Sequence, residues 1–130
     1  MKMLKNAVFQ KGVNMKTVLL NGIEAEIERR LITSFMDLII LRILRSNRQG
    51  RGGYDIIRYL HLNHNILPSS GTVYSCLYAM ERRGLIKGRQ NGKKRVYILT
   101  QEGERTIKCL EAAKNKFNRF MSTILYGTGR

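Results

Sequence analysis

One stretch, Ser69 to Thr100, constrains the fold of this 130-residue chain more than any other. It divides into a short helix, a hairpin and the start of a further helix. Ser69 and Ser70 are N-cap candidates, because a serine hydroxyl accepts a hydrogen bond from a free amide of the first helical turn. Val73, Leu77 and Met80 recur at helical spacing, with Cys76 beside them, and give the helix one apolar face. The opposite face carries Gly71, Ser75, Tyr78, Ala79 and Arg82, with Thr72 at its edge and Tyr74 on its flank. Gly84 stands where a helix C-terminus wants a left-handed residue. Two strands are predicted next, Leu85 to Gln90 and Lys93 to Leu99. Asn91-Gly92 joins them, a hairpin signal because its turn positions need positive φ.

The chemistry of this stretch is that of a nucleic-acid-reading unit. The helix offers small hydrogen-bonding groups to base edges, while Lys87, Arg89, Lys93, Lys94 and Arg95 on the acid-free hairpin would neutralise phosphates. The bland alternative is an ordinary α+β core with a solvated charged face. Charge placement favours the first reading. The net charge is +15, and residues 47–99 hold ten Lys and Arg against two Asp and Glu. Just over half of the excess therefore sits on the helix–hairpin region, a field suited to polyanions and to binding through counterion release.

Upstream, residues 1–22 read as a basic N-terminal extension, either a tail or an arm reaching phosphates. From Ile23 to about Arg45 the pattern is helical, and Thr33-Ser34 is a candidate break. Phe35, Leu38, Ile39, Leu41 and Ile43 are dense enough to predict the domain's core helix. Ser46 to Gly53 reads as a loop. Tyr54 to Asn63 reads as a helix with Ile56, Ile57, Leu60 and Leu62 inward, and Leu67-Pro68 closes a linker. The expected domain spans 23–99, with the recognition helix at about 70–83 and the wing at 85–99. The fold class is mainly α with a small β-hairpin wing: a winged helix-turn-helix.

Thr100 is predicted to cap a single C-terminal helix over 100–126. Its apolar positions include Ile107, Leu110, Phe117, Phe120, Met121 and Ile124 at near-heptad spacing. Such a helix is roughly 39 Å long, more than a small winged domain covers. A second copy of the same helix is the economical partner, so a homodimer is expected; folding back on its own domain is the alternative.

Other chemistry finds little support. Cys76 and Cys109 lie on apolar-face positions of separate helices and read as buried thiols, with a redox pair as the other reading. His61 and His64 have no third ligand at metal spacing, so no metal or other cofactor is expected. No phosphate-binding glycine loop, nucleophile elbow or Cys/His pair suggests an enzyme. No apolar run has bilayer length and no signal sequence is visible, so no membrane association and a cytoplasmic location are expected.

In order and spacing, four segments resemble the PadR group of winged-helix transcriptional regulators, and more distantly the multiple-antibiotic-resistance regulators. They are Gly53-Tyr54-Asp55-Ile56-Ile57, Ser70-Gly71-Thr72-Val73-Tyr74, Leu77 with Met80, Glu81 and Gly84-Leu85-Ile86, and Tyr97-Ile98-Leu99-Thr100 with Gly103. The resemblance covers roughly residues 34 to 125. It implies a homodimer on a pseudo-palindromic operator in double-stranded DNA, usually acting as a repressor. It also implies that Ser70, Thr72, Tyr74, Ser75 and Tyr78 lie near bases. Arg82, Lys87, Arg89, Asn91, Lys93, Lys94 and Arg95 would then hold phosphates beside them. A small-molecule effector is compatible with the group, but no residue here identifies one. A DNA-coating architectural protein without sequence preference, and an interaction module for a protein partner, remain as rivals. A specificity ratio near one would mark the former, and no salt-dependent DNA binding the latter.

Overall fold

The computed structural model describes residues 15–64 and 66–128, with side chains from residue 22 onward. Residues 1–14, most of the expected N-terminal extension, lie outside the described residues. The remainder of that extension is helical, since helix α1 runs Met15–Ser34 and begins well before Ile23. It is followed by α2 (Met36–Arg45), strand β1 (Arg51–Gly52), α3 (Gly53–His64), α4 (Ser70–Arg82), β2 (Ile86–Asn91), β3 (Lys94–Leu99), α5 (Gln101–Ala112) and α6 (Lys114–Tyr126).

The core forms where α2, α3 and α4 pack together beneath the sheet and α5. Ile40, Leu41 and Leu44 of α2 meet Ile56 and Leu60 of α3 and Val73, Leu77 and Met80 of α4. Leu85, Ile86, Tyr97 and Ile107 close the cluster. Full burial of each aliphatic side chain contributes about 1.5–3 kcal/mol, so α2, buried at Met36, Ile40, Leu41, Ile43 and Leu44, is indeed the central element. Two inward assignments fail. Phe35 is 47% exposed at the junction of α1 and α2, and Leu62 is 68% exposed near the end of α3.

The break between α1 and α2 falls at Phe35, where φ −115° and ψ 27° leave the helical well. The hydrogen bonds Phe35 N–H to Leu31 O at 2.9 Å and Ile39 N–H to Phe35 O at 3.1 Å carry on across it. The axis therefore bends without stopping. The C-terminal segment behaves in the same way. In place of one helix there are two, because Ala113 adopts φ −96° and ψ 12° between α5 and α6. The Ala113 N–H is shared between Cys109 O at 3.2 Å and Leu110 O at 3.1 Å, a three-centre bond typical of a tightened turn.

This bend separates two environments. Ile107, expected on the dimer stripe, is fully buried in the domain's own core. Leu110 is half-buried, whereas α6 contains no buried residue at all. The early part of the stripe faces α2, and only the later part is free.

The sheet has the order β1-β3-β2, all antiparallel. The strand pair expected as a two-stranded wing has gained β1 on the open edge of β3, through Arg51↔Tyr97 and Gly52↔Val96. The hairpin register also differs by one residue. Asn91 pairs with Lys94, so the turn residues are Gly92 and Lys93, with Gly92 at φ +66°. A two-residue hairpin turn needs positive φ at its first central position, and glycine meets that need without steric cost. Asn91 is thus a strand residue.

Candidate nucleic-acid interface

Two side-chain caps set the recognition segment. Ser69 Oγ accepts from Thr72 N–H at 3.1 Å and lies 2.8 Å from Thr72 Oγ1, so Ser69 caps α4 and Ser70 is the first helical residue. Thr100 Oγ1 accepts from Gly103 N–H at 3.1 Å and lies 2.6 Å from Gly84 O and 2.8 Å from Leu85 O, the two carbonyls its proton can meet. The second cap ties the start of α5 to the point where α4 runs into the wing.

With Val73, Leu77 and Met80 buried, α4 turns Gly71, Thr72, Ser75, Tyr78 and Arg82 to solvent. Ser70 is exposed at its first turn. Tyr78 is 50% exposed, and its ring centroid lies 6.2 Å from that of Tyr74. This is the small, polar, acid-free face that the helical wheel predicts. Tyr74 departs from it. Its ring is half-buried against Gly53 of α3, where an added Cβ would overlap Cζ and the hydroxyl. That contact packs α4 on α3.

The basic residues sort into free and engaged. Arg82, Lys87, Lys93 and Lys94 are exposed and have no ion-pair partner among the described residues. Arg89 is exposed but donates to Gln49 O at 3.0 Å. Arg95 is engaged more fully: its Nη2 lies 3.2 Å from Glu81 Oε2, and its guanidinium lies 5.8 Å from the Tyr97 ring centroid. Arg95 thus has one donor engaged by an acid, which Lys93 and Lys94 do not among the described residues.

Burial pushes the Tyr97 phenol above its ordinary value, with Arg95 acting in the opposite sense. Its hydroxyl is buried without a hydrogen-bond partner among the described residues.

A cleft joins the wing to the helices. Lys93, Lys94 and Arg95 line one side of it, and Gly52, Gly53, Tyr54, Asp55 and Tyr74 the other. Tyr54, 68% exposed at this rim, is a candidate contact that the composition of the helix–hairpin stretch alone did not single out. The Gly-Tyr opening of α3 was its only signal. Glu81 was likewise visible as a motif residue without a role.

Elsewhere, Arg42 and Arg45 of α2 meet Glu111 of α5 at 3.0 and 2.8 Å, and Arg48 meets Glu104 at 3.1 Å. The two guanidinium donors hold the Glu111 carboxyl below its ordinary value. These pairs dock α5 against the domain and remove arginines from the pool available to an anion. His64 lies 3.8 Å from Glu28 and beside the Tyr59 ring, with no group of three metal-ligating side chains among the described residues. Cys109 is exposed, contrary to expectation, and Cys76 is half-buried 3.8 Å from Met80 Sδ. No helix among the described residues is long and apolar enough to cross a membrane.

Comparison with known proteins agrees with this geometry. A PadR family transcription regulator from Clostridium difficile R20291 superposes with a TM-score of 0.61 at 25% identity, over 70% of this chain and 98% of that one. A transcriptional regulator from Clostridium thermocellum gives 0.62 at 20% identity, over 75% and 98%. A PadR family regulator from Eggerthella lenta gives 0.57 at 21% identity, over 83% and 93%. The last two are likenesses of fold. A search of the curated proteins gives no match. Residues 40–109, more than half of the sequence, match the transcriptional regulator PadR-like family, and they span α2 through most of α5. With the family's winged helix in place and its sequence pattern matched across the whole helix–wing unit, this chain belongs to the PadR-like transcriptional regulators.

Proposed function

We propose that the chain is a sequence-specific repressor that binds a pseudo-palindromic operator as a homodimer. The observation that carries this reading is the solvent face of α4. Thr72, Ser75 and Tyr78 are exposed on it, Lys87, Lys93 and Lys94 are exposed on the hairpin that follows, and none of the three lysines has an ion-pair partner among the described residues. Small hydroxyl groups on a helix backed by a rigid core read base edges, while free lysines on a neighbouring hairpin hold the phosphates that fix its register. Ser70 adds a hydroxyl at the helix start, and Arg82 and Arg89 extend the positive rim.

Dimerisation is proposed through α6 and the adjoining part of α1. Phe117, Phe120, Met121 and Ile124 remain at least partly exposed, and Ile27 and Leu31 of α1, with Phe35 at its end, line a groove with Met121, Ile124 and Leu125. A two-fold axis would set half-sites about one helical turn, roughly 34 Å, apart.

The test is selection from random duplexes, followed by titration of the selected duplex and its scramble at several salt concentrations. The reading expects an inverted-repeat winner bound at least ~10³-fold more tightly than the scramble. Equal, steeply salt-dependent binding to both would assign the protein to DNA coating, and absence of binding would overturn a DNA function.

A further inference from the structure

We propose that Glu81 is a positioning residue that latches the wing to the recognition helix and withholds Arg95 from DNA. The proposal rests on the DNA-binding reading above. Glu81 lies on the last turn of α4, and its Oε2 accepts from Gly88 N–H of β2 at 3.0 Å and from Arg95 Nη2 of β3 at 3.2 Å. One carboxylate oxygen therefore joins three elements. Gly88 makes the arrangement sterically possible. A Cβ there would sit 2.6 Å from Arg95 Nη2 and 2.7 Å from Cζ and Nε, so only glycine lets the guanidinium lie across β2. Gly88 pairs directly with Tyr97, whose buried ring lies under the same guanidinium.

Only Arg83, Gly84 and Leu85 separate α4 from β2, and Gly84 has φ +78°. Leu85 and Thr100 pin the inner end of the wing to the core. The latch acts further out, at the third residue of β2, and so fixes the hairpin's inclination to α4. That angle decides whether Lys93 and Lys94 meet phosphates when Ser75 and Tyr78 meet bases. Glu81 is also one of the two acids among residues 47–99. Using it to neutralise an arginine next to a DNA-facing helix lowers non-specific attraction while raising rigidity.

The test compares four variants of the full chain on the selected operator and its scramble across a salt series. Glu81→Gln removes the ion pair, Arg95→Gln removes its partner, and Gly88→Ala displaces the guanidinium without changing charge. Lys94→Ala is the reference for an ordinary phosphate contact. The latch predicts that the first three each lower the operator-to-scramble ratio by about tenfold, the factor that about 1.4 kcal/mol corresponds to. It further predicts that Arg95→Gln leaves the salt slope unchanged, while Lys94→Ala reduces it by about one. Glu81→Gln should steepen the slope, because it frees Arg95 for a phosphate.

An Arg95→Gln slope reduced like that of Lys94→Ala, with discrimination intact, would overturn the latch and leave Arg95 as a phosphate ligand. Unchanged discrimination in Gly88→Ala and Glu81→Gln would overturn it as well. Should Gly88→Ala fail to fold, the two glutamine variants decide alone. Failure of the wild type to discriminate at all would instead overturn the sequence-specific reading, so the two failures are distinguishable.

Discussion

Tyr74 lies with its ring against the backbone of Gly53, closely enough that a Cβ on Gly53 would overlap the phenol. This contact joins the second turn of α4 to the first turn of α3, and it explains why a tyrosine on the flank of the recognition helix is half-buried. Gly53→Ala is expected to destabilise the fold by about 1–3 kcal/mol through overpacking. Removing the ring as well, in Gly53→Ala/Tyr74→Ala, relieves the overlap, so the double variant should lose less than the sum of the single losses. Urea unfolding of the four proteins measures this. Strictly additive losses would mean that the ring and the glycine do not interact.

The division between free and engaged groups predicts distinct binding phenotypes. Lys93 sits in the hairpin turn, exposed and without an acid partner among the described residues, so Lys93→Ala should weaken binding nearly equally on all sequences and reduce the salt slope by about one. Ser75 is exposed on α4, and Ser75→Ala should change which duplex is preferred while leaving the slope unaltered. Titrating both variants on specific and random duplexes separates the two effects. Matching losses on both duplexes would contradict the assignment of reading to α4 and anchoring to the wing.

Much of this unit is legible in the sequence because its signals are local. Caps at Ser69 and Thr100, the buried period of Val73, Leu77 and Met80, and the glycine-containing turn all act within a few residues. What escapes is set by distant partners. Arg95 reads as one more wing cation until Glu81, fourteen residues earlier, is seen to face it. β1 is two residues long and carries no strand pattern; it exists because β3 offers an open edge. The hairpin slips by one residue from the Asn-Gly expectation because register is set by which residues must be buried, here Val96 and Tyr97. The bend at Phe35 falls beside the Thr33-Ser34 pair that marks a candidate break, whereas the one at Ala113 involves no glycine or proline, so no breaker residue announces it. Ile107 and Ile124 share one apolar stripe in the sequence, and only the bend tells which faces the core.

Glu111 links α5 to α2 through Arg42 and Arg45, which lower its carboxyl below the ordinary value of 4.5. A carboxylate depressed by folding stabilises the native state above its unfolded pKa, and that contribution disappears as pH falls through the folded value. Glu111→Gln should therefore lower the thermal midpoint slightly at neutral pH and leave it unchanged at the acid end, below the depressed folded value. Because the pair is exposed, high salt should shrink the neutral-pH difference. Thermal melts across pH at two salt concentrations test this, and a difference that grows toward acid would contradict the assignment.

The two thiols should react at different rates. Burial raises the Cys76 thiol above its ordinary value, Asp37 adds to the rise, and Arg83 partly offsets it. Since the thiolate is the nucleophile, Cys76 should alkylate slowly in the native protein. Cys109 is exposed on α5 and should be modified first. Mass mapping of iodoacetamide-treated protein over time gives the order, and denaturant should abolish the difference. Faster labelling of Cys76 would mean that α4 opens from the core.

The proposed dimer makes opposite demands on two isoleucines of the C-terminal segment. Ile107 is fully buried within its own domain, so Ile107→Ala should cost about 2–5 kcal/mol of stability and leave the association constant of the folded protein unaffected. Ile124 is 74% exposed and Phe120 52% exposed on α6, a helix without a buried residue. Phe120→Asp/Ile124→Asp should leave the unfolding midpoint of the winged domain nearly unchanged and convert the protein to a monomer in sedimentation. Separating the two reading heads removes the effective concentration that one bound head confers on the other. Affinity for a two-half-site operator should then fall by roughly 10²–10⁴, while binding to an isolated half-site stays the same. A double variant that remains dimeric would place the partner surface elsewhere. A monomer that binds the full operator as tightly as the wild type would show that the two half-sites are not read together.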